Sequence, residues 1–398
     1  MLIRRWRAHP LATAAAAASA FRVAVFLFAL VWPIAGEDGR LVSPRLFEQG
    51  LDMGYYETSR NILFHGMYHG AVERYLHFYG LSDAPRPEDE GTMIVSAPLF
   101  PTLLEIFAYS RSNTLPIAFA YLLAGIALAV LWLRWLHRRG VGPTWLLVFA
   151  LLPNPVWIAL GISTDLLFAL AFALFFVAYD RIDGGEGGVR SRELWVAVAC
   201  ACAAALTRGN GPLLLVFFVL DRVRRRSWMR AGERGPMAFS VVAIGVAGLY
   251  YLPEFVAFSG LGDPSHRFDL VYFGMRDDDY VAGLFAFLPD VLDTLASILV
   301  LGGAKILYFV GLRPSYWDIP TVFLLARSAA GFVLLPGLAY ALARGENSHR
   351  LLIVLYLVPI LIGASLDRYN FAILPLLFYY GVQAYYAVGR KVGLLSSA

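Results

Sequence analysis

Long apolar runs separated by short polar turns dominate the chain, and their lengths are its first structural signal. Runs lie at 11–35, 114–133, 144–161, 164–179, 238–257, 291–311, 319–343, 351–366 and 371–388. A helix needs about 20 apolar residues to cross a hydrocarbon core, so most of these runs predict membrane spans. The run 194–220 differs, because Thr207-Arg208-Gly209-Asn210-Gly211-Pro212 divides it into two short halves. The first run is too long for a signal-peptide core and Arg22 interrupts it, which predicts a retained first helix. The expected fold is an all-α integral membrane protein, a polytopic helical bundle of about 10–12 transmembrane or re-entrant helices. One membrane domain covers 1–398, with a long first extracytoplasmic loop at 36–112 and a second at 258–290.

Basic residues give this layout a direction. The segments 1–10, 134–140, 180–193, 221–237, 344–350 and 390–398 carry 19 Lys and Arg. The segments 36–112, 258–290, 312–318 and 367–370 carry 10 over nearly twice the length. Positive charge stays on the cytoplasmic side, so the N-terminus is expected inside and the first loop outside. The run 291–311 disturbs the parity, since the charges on both flanks favour the outside. A hairpin dipping in from 281 to 311 and broken at Pro289 would restore the count. Otherwise the C-terminus lies outside.

Composition agrees with the pattern. Of 398 residues, 59% are hydrophobic and 16% charged, against about 25% charged in soluble domains. Mean hydropathy is +0.62. These values exclude a disordered chain, a secreted disulfide scaffold and a cytosolic enzyme. The net charge of +4 rests on 31 arginines and two lysines, Lys305 and Lys391, yet no polar loop carries a basic stripe with interleaved aromatics. Nucleic acid is therefore not an expected partner. Cys200 and Cys202 stand two apart in an apolar run and point about 200° from each other on a helix, which favours neither a disulfide nor a metal pair.

Candidate chemistry falls in two places. The first is the 77-residue loop Gly36–Ser112, with 11 acidic residues. Asp52 opens a helical stretch that carries Tyr55 and Tyr56, and is either a helix N-cap or a catalytic base at the membrane surface. Glu37 and Asp38, where the first span ends, compete for the same role. His65 and His69 have metal-ligand spacing, but Gly66 and Gly70 weaken the helix and no third ligand is evident. The run Asp277-Asp278-Asp279 reads as a solvated loop. No cofactor is required and no metal is assigned, while acids near a phosphate leave magnesium or manganese dependence open.

The second place is the apolar runs themselves, where ionisable groups are costly and mark function by default. Arg22, Asp165, Arg208, Asp293, Lys305 and Arg327 are the candidates. Arg22 is expected to snorkel to the cytoplasmic face. Asp165, in Ser163-Thr164-Asp165, either caps the second of two helices or pairs internally with Arg208. Arg208, in its glycine-rich break, and Lys305 suit a phosphate group. Arg368 and Tyr369 lie in the last outer turn, where Arg368 is an interfacial anchor or a further cationic contact.

Four features, in this order along the chain, resemble the GT-C class of membrane glycosyltransferases. They are Asp52 before Tyr55-Tyr56 and Gly66-Met67-Tyr68; the lead-in Ala97-Pro98-Leu99-Phe100-Pro101; Asn154-Pro155 with Ser163-Thr164-Asp165 and the break Leu206-Thr207-Arg208-Gly209-Asn210-Gly211; and Asp367-Arg368-Tyr369 before Pro375. The pattern is most similar to bacterial relatives of the GPI and dolichol-linked mannosyltransferases. It departs from them at the acid, since Asp52 is followed by Met53 where such families often pair two acids.

The resemblance implies an enzyme of the bacterial cytoplasmic membrane with its active site on the periplasmic side. It would transfer a hexose from a polyprenyl-phosphate donor to a lipid, glycan or protein acceptor, inverting the anomeric carbon. Asp52 would be the general base, with Glu37 or Asp38 as alternates. Tyr55, Tyr56, Asp165, Arg208, Lys305, Arg368 and Tyr369 would contact substrate. Two other classes share part of the pattern. A polysaccharide polymerase or O-antigen ligase would carry arginines and a histidine in a large late loop, and 258–290 offers only His266, Arg267 and Arg276. A transporter or lipid flippase would repeat its broken helices in matching halves, and only one broken pair is present.

Overall fold

The computed structural model describes residues 9–31, 34–35, 41–42, 60, 97–108, 114–183, 191–226, 231–258, 289–312, 328–362 and 367–391. Among them the chain is helical apart from one two-residue antiparallel pair, β1 (Ile34–Ala35) with β2 (Leu41–Val42). The helices are α1 (Pro10–Val31), α2 (Leu99–Ile106), α3 (Leu115–Arg138), α4 (Pro143–Ala150), α5 (Pro153–Leu160), α6 (Thr164–Asp183) and α7 (Ser191–Thr207). They continue with α8 (Leu213–Arg224), α9 (Ala231–Phe258), α10 (Asp290–Phe309), α11 (Gly331–Arg344), α12 (Asn347–Ile362), a 3₁₀ turn (Asp367–Asn370) and α13 (Leu374–Lys391).

Three of these are long and apolar enough to cross a membrane: α1 over Pro10–Leu30, α3, and α9 over Gly232–Leu252. At 1.5 Å per residue, the 22 residues of α1 reach about 33 Å, which matches a hydrocarbon core of about 30 Å. Gly331–Arg344 and Asn347–Leu361 are apolar but shorter. Only 17% of the apolar window of α9 is buried inside the protein, so Val241, Val242, Val246 and Leu249 present an oily face outward. Such a face is stable against lipid and costly against water.

Local chemistry explains where the helices begin and end. Ala12 and the run Ala14–Ala18, the strongest helix formers, fill the start of α1. Pro143 opens α4 at a position where its missing N–H costs nothing, and Pro289 stands directly before α10. The run 144–161, expected as a single span, is instead two eight-residue helices separated at Leu151-Leu152. Each is about 12 Å long and too short to cross alone. Pro153 ends the first helix because proline disfavours helical backbone in the residue before it. The run 319–343 is helical from Gly331; residues 319–327, with Arg327, lie outside the described residues, as do 281–288.

The described chain forms two compact units. One comprises Ala18–Leu131 and Val156–Ala257; the other Met1–Ala17, Trp132–Pro155 and Phe258–Ala398. In the first unit, α6 and α7 pack antiparallel as a hairpin and make its most extensive contact, with α8 and α2 against α7. Phe168, Phe175, Phe217 and Phe218 fill the interior. Arg22 is also buried there, 3% exposed, its Nη1 donating to the Ala18 carbonyl at 3.1 Å. It therefore does not snorkel to a face as expected, because protein rather than lipid surrounds its head.

In the second unit α11 and α13 make the dominant contact, and the reason is a pair of glycines. A Cβ at Gly337 would overlap the Leu377 carbonyl, and one at Gly381 would overlap the Val333 carbonyl. The two backbones touch at this crossing, where neither position has room for a side chain. Trp132 packs edge-on against both Phe149 and Phe371, and Phe378 against Phe149, to complete that core.

Candidate functional site

The first unit gathers three of the segments singled out in the sequence. α6 begins after Ser163, whose Oγ accepts the backbone N–H of Asp165 at 3.3 Å. Ser163 is thus the cap of α6, and Asp165 does not cap the helix. The carboxylate of Asp165 is left to pair with Arg208, while the Ser163 hydroxyl lies 3.3 Å from its Oδ2 and donates to it. The pair forms because the hairpin brings the start of α6 beside the end of α7. Asp165 lies in the first turn of α6, where the helix dipole favours an anion, and Arg208 follows the last residue of α7, where it favours a cation.

The break after α7 is built as a tight return. Gly211 N–H donates to the Arg208 carbonyl at 2.8 Å, and a Cβ at Gly211 would overlap the Ala204 carbonyl. Only glycine lets the backbone fold this close to the helix end. The last carbonyls of α7 are well supplied with donors: Ala204 O accepts the Arg208 N–H at 3.2 Å and the Thr207 hydroxyl at 2.7 Å, and Tyr251 of α9 donates to Ala205 O at 2.5 Å.

The lead-in Ala97–Pro101 supports the same site. Phe100, fully buried, packs edge-on against Tyr121 at 6.4 Å, and the Tyr121 hydroxyl donates to the Ser163 carbonyl at 2.6 Å. α2 also lies against α7. Arg60, the one described residue of 43–96, has its Nε 3.8 Å from Glu105 Oε2 on α2. Sequence reasoning missed Tyr121, Glu105 and Tyr251. A hydroxyl within an apolar run needs a partner, and that was the available signal for the two tyrosines.

Arg208 is 19% exposed at its side chain, whereas Asp165 is 3% exposed. The carboxylate is thus sequestered and held by two donors, and the guanidinium remains reachable. Such a pair orients a cation well and suits anion recognition more than proton abstraction.

Lys305 and Tyr369 lie in the second unit. Lys305 Nζ donates to the Leu361 carbonyl at 2.8 Å, one of the last four of α12, and so caps that helix. Asn370 Nδ2 does the same for α10 through Phe309 O at 2.5 Å, and Tyr356 donates to Tyr369 O at 2.7 Å. Arg368 lies in the 3₁₀ turn between these contacts. Glu37, Asp38, Asp52, Tyr55, Tyr56, His65, His69 and Asp277–Asp279 lie outside the described residues. Among the described residues no three His, Cys, Asp or Glu side chains converge to hold a metal.

No family model matches the chain, and no curated protein matches it.

Proposed function

We propose that the chain is an integral membrane glycosyltransferase of the GT-C type, embedded in the bacterial cytoplasmic membrane as a multi-pass bundle with the N-terminus inside. The observation that carries this reading is the meeting of three segments far apart in sequence. The lead-in Ala97–Pro101 meets the turn Ser163–Asp165 through Phe100 and Tyr121, and Asp165 of that turn pairs with the partly reachable Arg208 of the break Leu206–Gly211. Those are the second and third features of the resemblance.

In this reading the donor is a polyprenyl-phosphate hexose. Asp52 takes the proton of the acceptor hydroxyl as its oxygen bonds to the anomeric carbon from the face opposite the phosphate. The bond from that carbon to the phosphate oxygen breaks, and polyprenyl phosphate departs with the electron pair. General-base assistance of this kind contributes about 10²–10⁴-fold. Arg208, held in place by Asp165, offsets the charge that grows on the phosphate. The resemblance also assigns Arg368 and Tyr369 to substrate, and Lys305 serves α12 as its cap.

The test is release of polyprenyl phosphate by the purified protein from a panel of polyprenyl-phosphate sugars, with and without a chelator. Release from one donor establishes the class and identifies the sugar. Folded protein that releases nothing, with lipid, glycan and protein acceptors supplied, overturns it.

A further inference from the structure

The opposite end of the same hairpin carries a second charged cluster that the glycosyl-transfer reading does not use. Asp221 near the end of α8 is fully buried and accepts from the Tyr179 hydroxyl. It also accepts from Arg224, through Nε at 3.1 Å and Nη2 at 2.6 Å, and from Arg225 Nε at 2.7 Å. Arg222 is buried over the Tyr179 ring at 4.8 Å, and its Nη1 lies 3.9 Å from Glu233 Oε1 in the first turn of α9. The segment 221–226 holds four arginines and one acid, Asp221, a net charge of +3 within six residues.

Two details distinguish the cluster from an internal network. Arg224 and Arg225, although fixed by Asp221, are 40% and 32% exposed at their side chains. Arg226 is exposed and takes a left-handed conformation, φ +54°, at the position just past the helix end where glycine is the favoured residue. A cation stands where the backbone would be better served by glycine. That trade makes sense when the charge has a task.

Position names the partner. The Arg222–Glu233 contact ties this end of α8 to the start of α9, and the apolar window of α9 begins at Gly232. The exposed arginines therefore stand at the depth where an apolar helix leaves the bilayer, and lipid phosphates lie at that depth. The geometry points to the Arg224–Arg225–Arg226 end of α8 as a binding site for the phosphate of an anionic membrane lipid. This inference rests on α9 crossing the membrane and not on glycosyl transfer.

The experiment uses full-length protein in a neutral detergent and measures binding of phosphatidylglycerol, phosphatidylcholine and inorganic phosphate by native mass spectrometry and by the shift in melting temperature. Wild type binds phosphatidylglycerol in preference to phosphatidylcholine. Arg226→Gly weakens that binding about fivefold, the effect of one interfacial cation, while the lipid-free protein melts no lower than wild type. Arg226→Lys restores binding, Arg226→Gln does not, and Arg390→Gln, an exposed arginine elsewhere, leaves it unchanged. The proposal falls if Arg226→Gly and Arg226→Gln bind phosphatidylglycerol as wild type does, or if Arg390→Gln weakens binding equally. It also falls if phosphatidylcholine or inorganic phosphate reproduces the full effect. None of these readings involves turnover, so the result stands apart from the fate of the enzymatic proposal.

Discussion

Asp165 and Arg208, 43 positions apart, form an ion pair where the start of α6 meets the end of α7. Because the carboxylate is almost fully buried, losing its partner leaves an uncompensated charge. Arg208→Gln is expected to destabilise the protein by about 3 kcal/mol, and Asp165→Asn/Arg208→Gln by clearly less than the sum of the two single changes. Thermal unfolding of the four proteins in detergent gives the coupling. Strict additivity would show that the two groups do not interact.

Asp52→Asn is expected to lower polyprenyl phosphate release about 10²–10⁴-fold without loss of folded protein. Glu37→Gln and Asp38→Asn serve as comparisons and are expected to keep turnover near wild type. Full activity in Asp52→Asn, with loss in either comparison, would move the base to that residue.

Lys305 caps α12 through the Leu361 carbonyl. Lys305→Met leaves that carbonyl without its charged donor, and the expected cost is about 1–3 kcal/mol in stability. Donor KM is expected to stay unchanged, whereas Arg208→Gln raises it. A large rise in KM for Lys305→Met at unchanged melting temperature would place this lysine on the substrate instead.

The crossing of α11 and α13 makes a contrasting prediction for glycines. Gly337→Ala and Gly381→Ala drive a methyl group into the opposing backbone and are expected to cost about 1–3 kcal/mol or to prevent folding. Gly248→Ala in α9 meets nothing within 4 Å and is expected to be neutral or to stabilise by about 0.5–1 kcal/mol. Comparing yield and melting temperature of the three variants checks the packing. Equal effects at all three sites would contradict the observed contact.

Much of this architecture is legible in the residues, and the exceptions have physical causes. Hydropathy finds α1, α3 and α9, and Gly209, Gly211 and Pro212 mark the break between α7 and α8. Apolar content alone misplaces 144–161, because hydropathy scales do not register what Pro153 does to the helix before it. Ser163 and Asp165 compete for the cap of α6 by residue type. The choice of serine depends on which side chain the neighbouring Arg208 draws away, and no local pattern contains that. Arg22 illustrates the same point: whether a cation in an apolar run meets lipid or protein depends on neighbours distant in sequence. The pairing of Asp165 with Arg208 was one of two open alternatives, and only the packing of the hairpin selects it.

The placement of that pair also bears on how the protein reaches its membrane. A carboxylate or guanidinium taken alone through the centre of a bilayer costs about 2.5–3.5 kcal/mol on insertion scales. Joined at the open end of the α6–α7 hairpin, the two form a neutral, hydrogen-bonded unit. The acid of α6 therefore gains its charged partner only once Arg208, 43 residues later, has been synthesised.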